Sequence, residues 1–411
     1  MTINLITYIS SLDKVASLAH IHEELLTELE LHFTVKYHKH TELDQIPSDE
    51  FSLLFVASGE VEQLITQDIE KLPRPIVFLV DGLHNSMAAT LETSTWMRER
   101  GIKNEILHND LPWVMQRIQT LATNFHAQHR LKQQKIGVIG PAAPWSIASS
   151  VDYFLTKQRW GINFINIPMS RVVDIYKEVT VDQVSNLCTN FLSTAYASSD
   201  ITPLALSNAM RFYIAVKQVC DEDGLTAVTF NCFQSLEELG ITGCLAFSIL
   251  NDKGIVAGCD GDLQTVFTMV MIKALTGESG FMCSPSQIDT KENKVVLGHC
   301  SIGTKQASHF VLRDHYASKK AVTVQGILPL GEFTLLKCGG ECLDKYFVTS
   351  GYILENTQTE PSSRTEVLFK MNRDASYFLR NALSNHHVMI RGNHEAIISS
   401  FLETYACKRV E

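Results

Sequence analysis

The spacing of apolar residues changes along this chain of 411 residues, and that change constrains the fold more than any other feature. Through the first 130 residues, short β-branched and aromatic runs alternate with segments of helical spacing. The runs are "INLITYIS", "HFTVKYH", "FSLLFVAS" and "PIVFLVDG", and a helical segment is "LDKVASLAHIHEELLTELE". Strands covered on both faces by crossover helices produce such a pattern. The sequence therefore predicts a parallel α/β domain over residues 1–130.

A polar stretch, "TNFHAQHRLKQQ", precedes a second set of strand-like runs: "KIGVIG", "INFINIP", "LTAVTFNCF" and "GCLAFSIL". With the helical segments between them, they predict a second α/β domain over residues 131–278. The loop "GVIGPAAPW" lacks the glycine spacing of a phosphate-binding motif, and Pro141 and Pro144 remove amide donors. We predict instead a loop at a strand end that contacts a ligand.

From residue 279 the runs become short and closely spaced, with turn residues between them. They are "KVVLGHC", "HFVLRDHY", "KAVTVQGIL", "EFTLLKCGG", "KYFVTSGYIL" and "TEVLFKM", and a closing helix follows in "HEAIISSFLETYAC". This spacing is typical of an antiparallel barrel or sandwich. The predicted fold class is thus two Rossmann-like or flavodoxin-like α/β domains followed by a β-rich, barrel-like domain over residues 279–411.

Composition excludes several partners. The net charge is −10 without a cluster of Lys and Arg, which argues against nucleic acid. No run of 18 apolar residues suggests a membrane span, and the N-terminus lacks a signal-peptide layout, so we expect a cytoplasmic protein. Ten scattered cysteines do not form a disulfide framework. Cys338 and Cys342 are predicted to be reduced structural thiols, because a zinc site would need a second pair.

Asp260 and Asp262 follow a predicted strand and the loop after it, and they precede the apolar segment "TVFTMVMIKAL". Acids at that position either cap a helix or bind a metal ion. His299 closes the run "KVVLGHC", and His386 and His387 precede the last predicted strand; either could be structural. A carboxylate with two imidazoles would suit Mn, Fe, Co or Zn better than Ca.

Four segments, in order, resemble the superfamily of L-fucose isomerase and L-arabinose isomerase. "GCDGDLQTVFTMVMIKALTG" resembles its Glu-Gly-Asp segment and helix, and "GFMCSPSQID" resembles its Phe-Met-Glu segment. "VVLGHCSIG" resembles its strand ending in a metal-binding histidine, and "NHHVMIRGNHEAIISSFLETY" resembles its last histidine motif. The resemblance covers roughly residues 135–411, and it implies the three-part architecture predicted above.

Site residues follow from the resemblance position by position. Asp260 takes the place of the first metal-binding glutamate, and His299 that of the internal histidine ligand. His386 matches the final histidine ligand, with His387 as the fallback. Asp262 matches the following aspartate, which we predict to cap the helix or support a ligand. Cys283 falls where the family has its second acid, both a metal ligand and the proton-transfer base.

The resemblance implies an enzyme that converts an aldose into a ketose through a metal-stabilised enediol. It implies a monosaccharide substrate, a divalent metal, most fittingly Mn²⁺ but also Fe²⁺, Co²⁺ or Zn²⁺, and a homo-oligomer, a trimer or hexamer. Cys283 leaves three alternatives open. Its thiolate binds a softer metal, Asp262 or Asp289 supplies the carboxylate, or the protein binds a sugar without turnover. Epimerisation is a further alternative.

Overall fold

The computed structural model describes residues 1–10, 20–316, 318–319, 321–359 and 363–411. The chain divides into two compact units, residues 1–129 and 130–411. In the described residues, no helix combines the length and the apolar composition that crossing a membrane requires. The three domains predicted from the sequence remain a prediction.

The first unit contains a parallel sheet whose five described strands run in the order β2-β1-β3-β4-β5. The strands are β1 (Thr2–Tyr8), β2 (Thr34–Lys39), β3 (Ser52–Val56), β4 (Ile76–Leu79) and β5 (Asn104–Leu107). The helices are α1 (Glu23–His32), α2 (Glu62–Gln67), α3 (Ser86–Glu99) and α4 (Leu111–Lys132), and 3-10 turns cover His40–Gln45 and Leu83–Asn85. The helix predicted around α1 lies partly outside the described residues.

Two apolar clusters cover the two faces of this sheet. In β3, Leu53 and Phe55 belong to one cluster and Leu54 and Val56 to the other. Successive side chains of a strand point to opposite faces. The continuous apolar run "FSLLFVAS" is therefore a strand buried on both sides, which confirms the parallel-sheet prediction for this region.

The second unit begins with a parallel sheet of order β10-β9-β6-β7 among its described strands. Its strands are β6 (Lys135–Ile139), β7 (Asn163–Ile167), β9 (Ala227–Phe230) and β10 (Val256–Cys259). The helices of this region are α5 (Tyr153–Trp160), α6 (Met169–Glu178), α7 (Val181–Thr194), α8 (Pro203–Asp223), α9 (Cys232–Leu239), α10 (Cys244–Asp252) and α11 (Leu263–Thr276).

The segment "GCLAFSIL", predicted as a strand, is helix α10, and the fourth strand of the sheet is β10, which follows it. Cys244 through Asn251 are all buried in this helix. A helix buried all round has no polar face, so its short apolar sequence lacks the periodicity that would distinguish it from a buried strand. The prediction was wrong for that reason.

The described strands of the C-terminal part include six that close into an antiparallel barrel, in the order β15-β18-β11-β12-β17-β16 and back to β15. They are β11 (Phe281–Asp289), β12 (Lys294–His299), β15 (Gly331–Gly339), β16 (Lys345–Asn356), β17 (Thr365–Met371) and β18 (His387–Arg391). The barrel-like prediction is confirmed.

The remaining elements lie before, between and after the barrel strands in the sequence. Strand β19 (Lys408–Arg409) pairs in parallel with β16. A separate small sheet has β13 (His309–Asp314) at its centre, between β14 (Val322–Ile327) and β8 (Ala197–Ser198). The helices are α12 (Tyr377–Arg380) and α13 (Glu395–Thr404), and a 3-10 turn covers Thr304–Gln306. Helix α13 is the closing helix predicted from "HEAIISSFLETYAC".

Helix α11 connects the parallel sheet to the barrel. It packs on β9 and β10 of the sheet and on β11, β15 and β18 of the barrel. Nearly all of its side chains are buried, which explains its apolar sequence. The loop between β10 and α11 therefore lies where the two layers meet, and it carries Asp260 and Asp262.

Candidate active site

Asp260 lies in a tight turn at the end of β10. Asp260 and Gly261 both have positive φ, 66° and 68°. A Cβ atom at position 261 would approach the Cα of Ala142 to 2.6 Å, so this position requires glycine. The Asp260 carbonyl accepts hydrogen bonds from the Ala143 amide (2.9 Å) and the Ser146 hydroxyl (3.2 Å). The turn is thus held against the loop that follows β6, the loop predicted to contact a ligand.

The Asp260 carboxylate is buried but incompletely bonded. Its Oδ2 accepts a hydrogen bond from Trp145 Nε1 (3.2 Å), and its Oδ1 has no hydrogen-bond partner among the described residues. Burying a carboxylate oxygen without a hydrogen-bond donor destabilises the fold, unless a cation or a ligand compensates for the lost hydration. Asp260 Oδ1 is therefore the atom in this region where a bound cation or ligand would compensate a buried, unpaired acceptor.

Asp262 caps helix α11, as the sequence predicted. Its Oδ1 accepts the Thr265 amide (2.8 Å), and its Oδ2 accepts the Thr265 hydroxyl (2.7 Å). The ammonium group of Lys337, fully buried in β15, lies 3.4 Å from both carboxylate oxygens. Burial alone would raise the pKa of Asp262, but Lys337, His386 and Thr265 together lower it below its usual range. Asp262 is therefore ionised.

His386 lies between the two aspartates. Its Nδ1 is 3.0 Å from Asp262 Oδ2, and its Nε2 is 3.8 Å from Asp260 Oδ2. The ionised Asp262 can only accept at this contact, so Nδ1 donates its proton to Asp262 and Nε2 faces Asp260. A carboxylate that fixes a histidine in this way is the usual support of a metal-binding imidazole.

His299 ends strand β12 and faces His386. The ring centroids of the two histidines are 5.3 Å apart in an edge-on arrangement, and His299 Nδ1 is 2.9 Å from the Ser301 hydroxyl. Burial, followed by the charges of His386 and His315, lowers the pKa of His299 to about 3. The imidazole is neutral near pH 7, which a metal ligand must be.

A cavity of about 440 Å³ brings these groups together. Asp260, His299 and His386 line it, and so do Trp145, Ser284 and Tyr316. Its volume falls within the usual range for a small-molecule site. Aromatic rings and hydroxyl groups beside a carboxylate suit a polar ligand with apolar C–H faces.

Three other residues considered from the sequence lie elsewhere. Cys283 is fully buried and is not among the residues that line the cavity, whereas its neighbour Ser284 is. His387 is also fully buried, with its Nε2 2.9 Å from the Tyr377 hydroxyl. Neighbouring side chains along a strand point to opposite sides, so Cys283 and His387 point into the core, whereas Ser284 and His386 line the cavity. Asp289 is exposed and accepts the amides of the turn at Lys291 and Glu292, so it does not supply the missing carboxylate.

The cavity also contains residues that the sequence did not single out. Trp145 donates a hydrogen bond to Asp260. His315 and Tyr316 come directly after β13 in the sequence. Four cysteines also line the cavity: Cys232, Cys244, Cys259 and Cys300. Burial, followed by the charge of Arg364, lowers the pKa of His315 to about 4, so it too is neutral near pH 7. The only signal in the sequence was the position of several of these residues just after predicted strands, where ligand-binding residues collect in α/β proteins.

The donor atoms suit a divalent metal ion in chemical type. They comprise a buried carboxylate oxygen of Asp260 that has no partner among the described residues and the imidazole nitrogens of His299 and His386, the oxygen and nitrogen donors that Mn, Fe, Co and Zn accept. Within the described ranges, however, no three His, Cys, Asp or Glu side chains are grouped so that they could hold an ion. Coordination would require these side chains to move closer together.

Comparison with known proteins gives a partial match. Sulfoquinovose isomerases of Priestia aryabhattai and Priestia megaterium are each 21% identical to this chain over 179 residues. The match covers 42% of this chain and 39% of each relative, so it spans about two fifths of the length of those curated proteins. No family model matches the chain. The chain is thus distantly similar, over part of its length, to sugar isomerases.

Proposed function

We propose that this protein is a sugar isomerase that converts an aldose into the corresponding ketose at the cavity of Asp260, His299 and His386. The observation that carries the proposal is the buried Asp260 Oδ1 without a partner among the described residues, next to a histidine fixed by Asp262. The partial similarity to sulfoquinovose isomerases supports the same reaction class. Epimerisation and sugar binding without turnover are the alternatives.

In this proposal Asp260, His299 and His386 would hold a divalent ion, most fittingly Mn²⁺. The ion, when bound, supplies Lewis-acid stabilisation of negative charge on adjacent sugar oxygens. Asp262, which is itself paired with Lys337, holds His386 through Nδ1, so Nε2 faces Asp260. Their burial removes competing water from that contact.

Proton transfer falls to Asp260, because Cys283 lies outside the lining of the cavity. The Asp260 carboxylate removes the proton from C2 and returns it to C1, directly or through one water molecule, while the proton of the O2 hydroxyl moves to O1. The hydroxyls of Ser284 and Tyr316 are placed to bond sugar hydroxyls, and Trp145 offers an apolar ring to the C–H face of the sugar. The homo-oligomer implied by the resemblance remains part of this proposal.

The test is incubation of the purified protein with sulfoquinovose and a panel of neutral aldoses in D₂O, with added Mn²⁺, followed by NMR. A ketose with deuterium at C1 is expected for the true substrate. An epimer with deuterium at C2 and no ketose would favour an epimerase. Neither product from any sugar, with sugar binding seen by calorimetry, would favour a binding protein.

The neighbouring histidines allow a matched comparison. His386→Ala is expected to lower the affinity for Mn²⁺ at least about tenfold with little loss of stability, since it removes one ligand from a cavity. His387→Ala is expected to lower the melting temperature and leave Mn²⁺ binding intact, because its side chain packs in the core beside Tyr377 and Phe378. Metal analysis and thermal unfolding of both variants check this. Equal metal content in His386→Ala and wild type would reject His386 as a ligand.

A further inference from the structure

Three thiols from separate segments meet in the wall of the cavity. Cys232 is the first residue of α9, Cys244 is the first residue of α10, and Cys259 is the last residue of β10. All three line the cavity and all are free. Ten cysteines scattered along the sequence gave no sign of this cluster.

Cys232 and Cys259 are in close contact, with their Sγ atoms 2.9 Å apart. In the parallel pairing of β9 and β10, Cys259 lies opposite Phe230. Cys232 comes two residues after Phe230, the last residue of β9, so it lies just beyond the end of that strand. Gly243 leaves room for the Cys232 sulfur, because a Cβ atom there would lie 3.1 Å from Sγ and 2.3 Å from the ring of Phe230. The backbone is therefore arranged so that these two sulfurs approach each other.

We propose that Cys232 and Cys259 are a modification site, at which hydrogen peroxide forms a disulfide. Peroxide oxidises one thiol to a sulfenic acid and releases one water. The second thiol then attacks the sulfenic sulfur, forms the S–S bond and releases another water. Two thiols lose two electrons, and one peroxide gains them.

The described residues favour this bond over a metal ion held by the thiols, because no three His, Cys, Asp or Glu side chains among them are grouped so that they could hold an ion. A disulfide requires the sulfurs to close from 2.9 Å to about 2.05 Å. A tetrahedral zinc site with Zn–S bonds of about 2.3 Å would instead require them to separate to roughly 3.8 Å. The change is about 0.9 Å in either direction, so the lack of a third ligand grouped with these thiols among the described residues, rather than the distance, favours the disulfide.

The disulfide would act on the neighbouring aspartate. Cys259 directly precedes Asp260, so drawing its sulfur toward α9 shifts the turn that orients the carboxylate. A displacement on the order of 1 Å in a catalytic group lowers a rate by about 100-fold. This consequence rests on the proposed function, whereas the disulfide itself does not.

The test treats wild-type protein with one equivalent of hydrogen peroxide, alkylates the remaining thiols and maps peptides by mass spectrometry without reduction. A peptide joining Cys232 to Cys259 is expected, with two of the ten thiols lost and both restored by dithiothreitol. Cys220, a buried thiol of α8, is the control and should stay reduced. Pairing of Cys232 with Cys244, oxidation to sulfinic acid alone, or no reaction beyond that of Cys220 would each overturn the proposal.

Activity supplies a separate readout. Peroxide is expected to lower turnover by about 100-fold in wild type, reversibly, while a Cys232→Ala variant should be insensitive to it. If the linked peptide forms and turnover does not change, the effect on Asp260 is rejected and the disulfide stands. If no sugar is turned over at all, the proposed function fails, and the linked peptide alone decides the modification site.

Discussion

Asp260→Asn is expected to abolish Mn²⁺ binding and to lower sugar turnover by a factor on the order of 10² to 10⁴. Its free energy of unfolding should be equal to that of wild type or slightly higher. The Asp260 carboxylate is buried, its Oδ1 has no partner in the described part of the chain, and a second ionised carboxylate, Asp262, bonds the other side of His386. Removing one negative charge relieves both desolvation and repulsion. The asparagine oxygen can still accept the hydrogen bond from Trp145 Nε1.

Metal analysis, deuterium exchange at C2 and denaturant unfolding in the presence of a chelator measure these three effects. Asp289→Asn is the matched control, since its carboxylate accepts turn amides at an exposed site away from the cavity. It should leave metal content and turnover unchanged. Retention of both metal and turnover in Asp260→Asn would show that the carboxylate has neither proposed role.

Much of the fold could be predicted because the buried strands consist of short apolar runs that are visible in the local sequence. The run "FSLLFVAS" contains a strand whose Leu53 to Val56 are apolar on both buried faces, and four of the six turn-separated runs after residue 279 are strands of the barrel, whereas the other two are β13 and β14 of the small sheet. The prediction failed at "GCLAFSIL", where full burial of a helix removed its polar face. Strands such as β5, β10 and β11 were also missed, because their sequences lack the continuous β-branched and aromatic runs from which the other strands were predicted.

The candidate site was predictable only in part. Asp260, His299 and His386 were identified through ordered motifs, and Asp262 through its place before an apolar helix. Lys337 gave no signal, because one lysine in "EFTLLKCGG" suggests the exposed face of a strand, yet it is fully buried. Its contact with Asp262 spans 75 residues, and that of Trp145 with Asp260 spans 115. Contacts of this kind depend on how separate elements pack, which local periodicity does not encode.

Asp262→Asn is expected to have the largest effect on stability, with a loss of about 3 to 5 kcal/mol in the free energy of unfolding. The substitution leaves the ammonium of Lys337 buried without its counter-ion, and the Thr265 hydroxyl remains as its hydrogen-bond partner among the described residues. It also weakens the cap of α11, the helix that joins the sheet to the barrel. Mn²⁺ binding should weaken about 10- to 100-fold but persist, because His386 loses its orienting carboxylate while Asp260 remains.

Lys337→Met and the double variant Asp262→Asn/Lys337→Met separate the ion pair from the cap. Each single variant leaves one buried charge without its partner, whereas the double variant leaves neither. The double variant should therefore be more stable than Asp262→Asn alone, and the destabilisation it shows should be well below the sum of the two single values. What remains in the double variant is the weakened cap, about 0.5 to 2 kcal/mol. Additive losses in urea unfolding would mean that the two groups contribute independently, and the orientation of His386 would then depend on Asp262 alone.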